Sequence, residues 1–299
     1  MLRTATWNNL GVEASENSLD TLLAEADLDY NAVARDLYVD GGDGTQILVP
    51  NKKMIVREDT NQLFGIVSDR YQICQNRDAL DFIQYIDGIE LQKAGQSGSY
   101  VYLIARMPEV TVLGDTIRPH LIFQNSHDGS CSIKTTMCML RIVCQNQFVR
   151  AFNDSPATVS ISHLGNIEEK MLVANQTFQQ LHQYVQNFDA EANALATKRL
   201  TPSAFNKILD KFFAMKEENS ARRNELIMLN RDQFVQSYKS EDNQNFIGTQ
   251  WGAVNAYADY LTHYETLRKT ENFEVNRFYS SLNSKYMDEF IEFVTEIAA

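Results

Sequence analysis

Residues 120–149 read HLIFQNSHDGSCSIKTTMCMLRIVCQNQFV. The runs His120–Asn125, Ser130–Met137 and Leu140–Val149 are rich in β-branched and aromatic residues, which read as strands. Between the first two lies Asn125-Ser126-His127-Asp128-Gly129-Ser130, where Asp128-Gly129 suits the positive-φ geometry of a hairpin. Upstream, Thr45–Pro50, Met54–Arg57, Leu63–Ile73 and Ser99–Met107 have the same character. The punctuation between them is short: Asp59-Thr60-Asn61, Pro108 and Gly114-Asp115. That spacing predicts an antiparallel meander rather than repeated parallel crossovers. One helix interrupts it over Arg77–Ile86, with Leu80, Phe82, Ile83 and Ile86 turned inward and Asn76 as N-cap.

Downstream the period changes. Ile167, Met171, Ala174, Phe178, Leu181, Val185, Phe188, Ala192 and Leu195 alternate spacings of four and three, a heptad seam. A helix of roughly 30 residues would be ~45 Å long and could pair within the chain or between subunits. Thr201-Pro202 is an N-cap followed by proline at the first helical position, with Phe205, Ile208, Leu209, Phe212 and Phe213 inside. Ala221–Ser240 is helical by composition. Phe246–Lys269 places Ile247, Trp251, Val254, Ala258 and Leu261 on a stripe, and Ser284–Ile297 buries Met287, Phe290, Ile291 and Val294. The expectation is an α+β fold: an antiparallel sheet region followed by a mostly helical C-terminal region with a long heptad-patterned helix.

Charge suggests the same divisions. The 299 residues carry a net charge of −12, so the whole molecule repels phosphate backbones. Residues 1–50 hold nine acids against Arg3 and Arg35, whereas residues 51–163 are neutral. The expected layout is an acidic, solvated leader or pairing arm (1–44), a β-rich domain (45–163) and a helical region (164–299). A 44% hydrophobic and 22% charged composition is globular. Cys74, Cys131, Cys138 and Cys144 show no CxxC spacing, the first residues lack a secretory pattern, and no apolar run approaches a membrane span, so a cytoplasmic protein is expected.

The common chemical motifs are missing. Gly41-Gly42-Asp43-Gly44 precedes a strand rather than a helix and reads as a turn, not a phosphate loop. GxSxG and HExxH are absent. Asp115, His120, His127, Asp128 and His163 could converge on a metal from different strands, although histidines and aspartates at strand ends more often bond turns. Cys131, Cys138 and Cys144 read as packing residues, with a thiolate paired to His127 or His163 as the alternative. The hairpin motif either caps its own backbone or presents Asn125, His127 and Lys134 to a ligand beside Arg141 and Asn146.

These motifs together resemble the phage/plasmid-like proteins grouped as domain of unknown function 932. The resemblance rests on Val67-Ser68-Asp69-Arg70-Tyr71 with Gln75-Asn76, the motif at 125–130, Arg141-Ile142-Val143-Cys144-Gln145-Asn146, Ile161-Ser162-His163, Gly248-Thr249-Gln250-Trp251-Gly252-Ala253 with Asn255-Ala256, and Asn276-Arg277-Phe278. It spans roughly residues 50–285. Ser162, Gln147 and Gln96–Tyr100 depart from the usual pattern. The resemblance implies a mobile-element protein and supplies no activity.

Three functions compete at this stage. A layout similar to phage single-strand annealing proteins suggests non-catalytic binding of single-stranded DNA by a homo-oligomer. Its contacts would be Arg57, Arg70, Tyr71, Asn125, His127, Lys134, Arg141 and Asn146, with Lys52, Lys53, Arg150 and Tyr100 as further candidates and no cofactor. A metal-dependent nuclease or hydrolase would use the His and Asp group. A factor that binds a phage or host protein would use the acidic surface.

Overall fold

The computed structural model describes residues 5–150, 157–167, 169, 181–264 and 273–297. The larger sheet runs in the order β1 (Val12–Glu13), β5 (Glu90–Ser97), β6 (Tyr100–Arg106), β8 (Asp115–Ser126), β9 (Ile133–Arg141), β10 (Asn146–Phe148). β7 (Val110–Val112) pairs with β8, and β11 (Thr158–Ile161) with β9. A smaller sheet has the order β2 (Ala32–Asp40), β3 (Gln46–Arg57), β4 (Leu63–Ser68). Every pairing is antiparallel, as the short turns require.

The helices are α1 (Leu19–Glu25), α2 (Asn76–Leu80), α3 (Leu181–Thr197), α4 (Pro202–Phe212), α5 (Ala221–Tyr238), α6 (Gln250–His263), α7 (Phe273–Ser281) and α8 (Lys285–Ile297). The fold is α+β, with sheets in the N-terminal part and helices in the C-terminal part. One apolar core contains residues from Ala5 to Val294 of both. Among the described residues no helix is long and apolar enough to cross a membrane.

The opening stretch folds as its pattern predicts. β8 and β9 pair from Ile117↔Arg141 to Gln124↔Lys134. Their connection closes on its own side chains: Asp128 accepts from the Ser130 amide at 2.9 Å, and Ser126 Oγ from the Cys131 amide at 2.9 Å. The two expected strands at 45–57 are one, β3, broken by an irregularity where pairing jumps from Tyr38↔Leu48 to Asp36↔Lys53. Pro50 lies in that interruption because it has no N–H for a ladder. The expected run Leu63–Ile73 ends as a strand at Ser68, and Tyr71 makes only an isolated bridge to Leu164.

Capping chemistry locates the helices. Thr201 Oγ1 accepts from the Ala204 amide at 3.2 Å and Pro202 opens α4. α6 starts at Gln250 rather than Phe246 because Thr249 caps it, accepting from the Gly252 amide at 3.1 Å, which leaves Ile247 exposed. A Cβ on Gly252 would lie 2.1 Å from the Phe246 carbonyl oxygen, so the glycine permits this entry. Twelve of the 14 residues of α6 are buried, making it the central helix. Asn76 is the first helical residue of α2, not its cap, and Gln75 occupies the cap position.

The expected heptad seam is partly visible: Met171, Ala174 and Phe178 lie outside the described residues. Phe188, Ala192 and Leu195 are buried in the chain's own core, with Phe188 against Phe148 and Trp251. The segment read as an acidic leader is divided. Trp7, Leu22, Leu23 and Leu28 are buried, with α1 capped by Ser18, because its leucines face the sheet while its acids face solvent. Beyond Arg35, β2 and β3 continue as a two-stranded arm closed by the 41–44 turn, where Asp43 accepts from the Thr45 amide at 2.9 Å.

Candidate functional site

The motif at 125–130 joins the two sheets, with Asn125, Ser126 and His127 buried, Asp128 half-buried and Gly129 and Ser130 exposed. Asn125 donates to the Cys74 carbonyl (3.3 Å) and accepts from the Ser126 amide (2.8 Å). His127 Nε2 meets Asn76 Oδ1 at 3.0 Å, and its ring packs on Tyr30 and Phe64. Burial pushes the His127 imidazole down to about 4, so it is neutral at pH 7. The smaller sheet closes over this turn: a Cβ on Gly65 would lie 2.5 Å from the Asp128 Cβ. Tyr71 completes the joint, stacking on His163 at 4.6 Å and donating to the Ser126 carbonyl at 2.8 Å.

The expected cations are mostly engaged internally. Arg57 is held by Asp27 (2.5 Å) and Asp59 (2.8 Å) and lies over the Tyr30 ring. Arg141 is buried and bonds Asp115 (2.7 Å) and the Asp242 carbonyl (2.7 Å), tying β9 to the turn before α6. Arg150 is held by Glu191 (3.1 Å) and Asp288 (2.7 Å). With its amide nitrogen turned to the acceptors, Asn146 donates to Asp259 Oδ1 (2.8 Å) and the Cys144 carbonyl (3.2 Å). Ser237 donates to the same Asp259 at 2.5 Å. Arg57, Asn125, His127, Arg141 and Asn146, expected as ligand contacts, are all buried and bonded to protein groups, although His127 Nδ1 is left without a hydrogen-bond partner. Arg70 is exposed in the turn after β4, and Lys134 is half-buried.

The five proposed metal ligands do not converge. Asp115 faces Arg141, His120 packs under Trp7 at 5.0 Å, and His127 points at Asn76. Among the described residues no three His, Cys, Asp or Glu side chains form a group that could hold a metal ion. The cysteines are free thiols, and burial raises all four, Cys74 and Cys138 to about 12, opposite to an activated thiolate.

Strand alternation creates an open site on the other side of the larger sheet. The pairs Tyr100↔Ser126, Tyr102↔Gln124, Gln124↔Lys134, Ile122↔Thr136 and Thr136↔Thr158 place their side chains on one face. Trp7 and Phe278 cover its middle, with Phe278 5.5 Å from Tyr102 and 6.4 Å from Trp7. At the end nearest the β8–β9 turn, the face opens into a cleft of 690 Å³ under α7. Tyr100, Gln124, Lys134 and Thr136 line its floor, and Asn276 and Tyr279 its roof. Tyr100 and Tyr279 meet at 5.4 Å. The Tyr279 hydroxyl is buried without a hydrogen-bond partner, and its acidity is suppressed by burial. Lys134 makes no ion pair with any described residue. The cleft thus offers one cation, amide and hydroxyl groups, and two aromatic rings.

Lys134 and Tyr100 were legible as candidates, whereas Gln124, Thr136, Asn276 and Tyr279 were not. The register that brings them together is a long-range fact. The residues at 63–282 match the family model Domain of unknown function (DUF932). The chain belongs to this DUF932 family. No curated protein and no solved structure matches it. The DUF932 match includes β4, the motif at 125–130, α6 and the cleft apart from Asn283 and Ser284, and leaves α1, Tyr30, β2 and β3 outside.

Proposed function

We propose that this DUF932 protein is a non-catalytic factor of phage or plasmid DNA metabolism that holds single-stranded DNA in the cleft under α7. The observation that supports this reading is the coincidence of Tyr100, Gln124, Lys134 and Thr136 on one sheet face within 690 Å³ of accessible space. Its volume suits a ligand of nucleotide size. Tyr100 would stack a base, Lys134 would meet a phosphate, and the amides and hydroxyls would bond base edges or sugar. With Arg57, Arg141 and Arg150 engaged elsewhere and Lys134 the one cation lining the cleft among the described residues, stacking and hydrogen bonding would contribute more than charge. Binding should therefore respond to salt only as strongly as one phosphate contact requires, a slope of about −0.7 in log K against log salt.

Fluorescence anisotropy of a labelled oligothymidine over a salt series tests this. Wild type should bind at low salt, Tyr100→Ala should lose tenfold or more, and Lys134→Ala should lose affinity and flatten the salt response. Absence of binding at low salt, or full affinity in both variants, overturns the reading.

A further inference from the structure

The polar side chains around the cleft under α7 are not equivalent. Thr136 shares a hydrogen bond with Thr158 at 3.0 Å, Ser130 donates to Asp128, and Asn283 accepts from the Lys285 amide at 3.0 Å. Gln124 differs from all three. It is only 6% exposed, yet it lines the floor of the cleft, and its side-chain amide makes no hydrogen bond with any described residue. Burying a primary amide takes an NH₂ group and a carbonyl oxygen out of water together, so the position is disfavoured unless a group in the cleft returns both kinds of bond.

The neighbours of Gln124 define what can reach it. On β9, Lys134 is directly opposite, a pairing that sets the two β-carbons about 5 Å apart. On β6, Tyr102 is opposite and Tyr100 is the diagonal neighbour, at roughly 7–8 Å and within reach of an aromatic ring. From the roof, the Tyr279 hydroxyl adds a second buried polar group without a partner. A ligand that satisfies Gln124 therefore needs a donor and an acceptor side by side on a flat edge, with a face left for Tyr100 and an anionic group for Lys134.

The parts of a DNA strand differ in this respect. Phosphate and in-chain deoxyribose offer acceptors alone, so either would leave the Gln124 carbonyl oxygen unmatched. A base edge offers both, as in the pairing of a glutamine amide with adenine. In thymine the one donor is N3–H, flanked by O2 and O4, and it lies on the edge used in base pairing.

We propose that Gln124 reads the Watson–Crick edge of one unpaired base, so that the cleft refuses a base already paired. The proposal rests on the reading of this cleft as a DNA site and names the residue that makes it selective for single strands.

Fluorescence anisotropy at low salt, comparing oligothymidine with the same oligomer methylated at N3 of every base, tests it. Methylation keeps the phosphates and the stacking faces and removes the donor. Wild type should bind the methylated oligomer at least about tenfold more weakly, and a duplex of oligothymidine with oligoadenine should bind no better than the methylated strand. Gln124→Met, which keeps the length of the side chain without its amide, should bind both single strands alike, at the affinity wild type shows for the methylated one. Matching urea titrations establish that the variant is folded, and the wild-type comparison needs no variant. Lys134→Ala should weaken both strands and keep the preference between them. Equal affinity of wild type for the two single strands, or a duplex bound as tightly as oligothymidine, overturns the proposal and leaves the DNA reading standing. A preference that survives in Gln124→Met overturns the assignment to Gln124, and absence of binding to any of the oligomers overturns the proposal and the DNA reading together.

Discussion

Odd- and even-numbered residues of β8 and β9 share a backbone, and near the β8–β9 turn their two faces meet different surroundings, although most side chains on both are buried. Asn125 and Arg141, on the odd face, are sealed beneath other elements with their polar groups bonded to protein. Gln124, Lys134 and Thr136, on the even face, line an open cleft. A strand turns successive side chains to opposite faces, so one motif supplies both a fastening and a possible contact. The difference teaches that residue type alone does not separate the two roles. On β9 arginine is the buried cation and lysine the available one, in keeping with guanidinium's better fit to several fixed acceptors.

The sharpest way to break this comparison is to remove an odd-face cation. Arg141→Ala would remove the ion-pair partner of Asp115 and one hydrogen bond to the Asp242 carbonyl, an effect of about 3–5 kcal/mol for a broken buried pair. Urea unfolding should show that loss, while any folded protein keeps whatever DNA affinity wild type has. A change below about 1 kcal/mol would place Arg141 among ordinary surface pairs and undo the distinction.

Acid tests both faces next, since each holds a buried histidine. Burial pushes His120 and His127 down to about 4. Between that value and the ordinary ~6.5 the unfolded chain binds a proton at each site that the folded chain refuses. Their contribution is therefore complete above pH 6.5 and declines as pH falls toward 4, by about 3 kcal/mol for each histidine. Stability measured by denaturant across this window should fall with a slope that includes two protons. His127→Gln should remove one of them, and an unchanged slope would show that His127 titrates normally.

The α+β order, most strands, the start of α4 and the inward face of α8 were legible because they depend on local periodicity and capping. β5 was not: Glu90–Ser97 has few β-favouring residues, and its place depends on contacts across the sheet. A Cβ on Gly95 would lie 2.5 Å from the Tyr102 hydroxyl, so this strand is fitted to its neighbour rather than announced by its own composition. The candidate site was half legible for a related reason. Arg57 and Arg141 read as surface cations because Asp27 and Asp115 lie 30 and 26 residues away. Gln124 and Tyr279 acquire meaning only through strand register and helix placement.

A smaller effect is expected inside the cleft. Lys134→Ala removes no ion pair seen in the described residues, so stability should change by no more than about 0.5 kcal/mol, as at ordinary surface sites. The proposed DNA affinity should fall by about 1 kcal/mol, within the range of a single charged contact. Parallel anisotropy and urea titrations separate the two quantities. Loss of stability without loss of binding would assign Lys134 to the odd-face class despite its position.

The least effect is expected at the far end of the same even face, and the reason is electrostatic. There Arg106 meets Glu90 and Arg118 meets Glu109 around a second cleft of 530 Å³. All four side chains are partly exposed, so water screens the attraction and either partner can be solvated when the other is removed. Arg118→Ala should therefore cost less than about 1 kcal/mol and leave oligothymidine binding unchanged, because each cation at this end already has a carboxylate beside it. If Arg118→Ala weakened binding as much as Lys134→Ala, the two ends would act as one continuous track. The Trp7 and Phe278 cover between them would then have to open for the strand to pass.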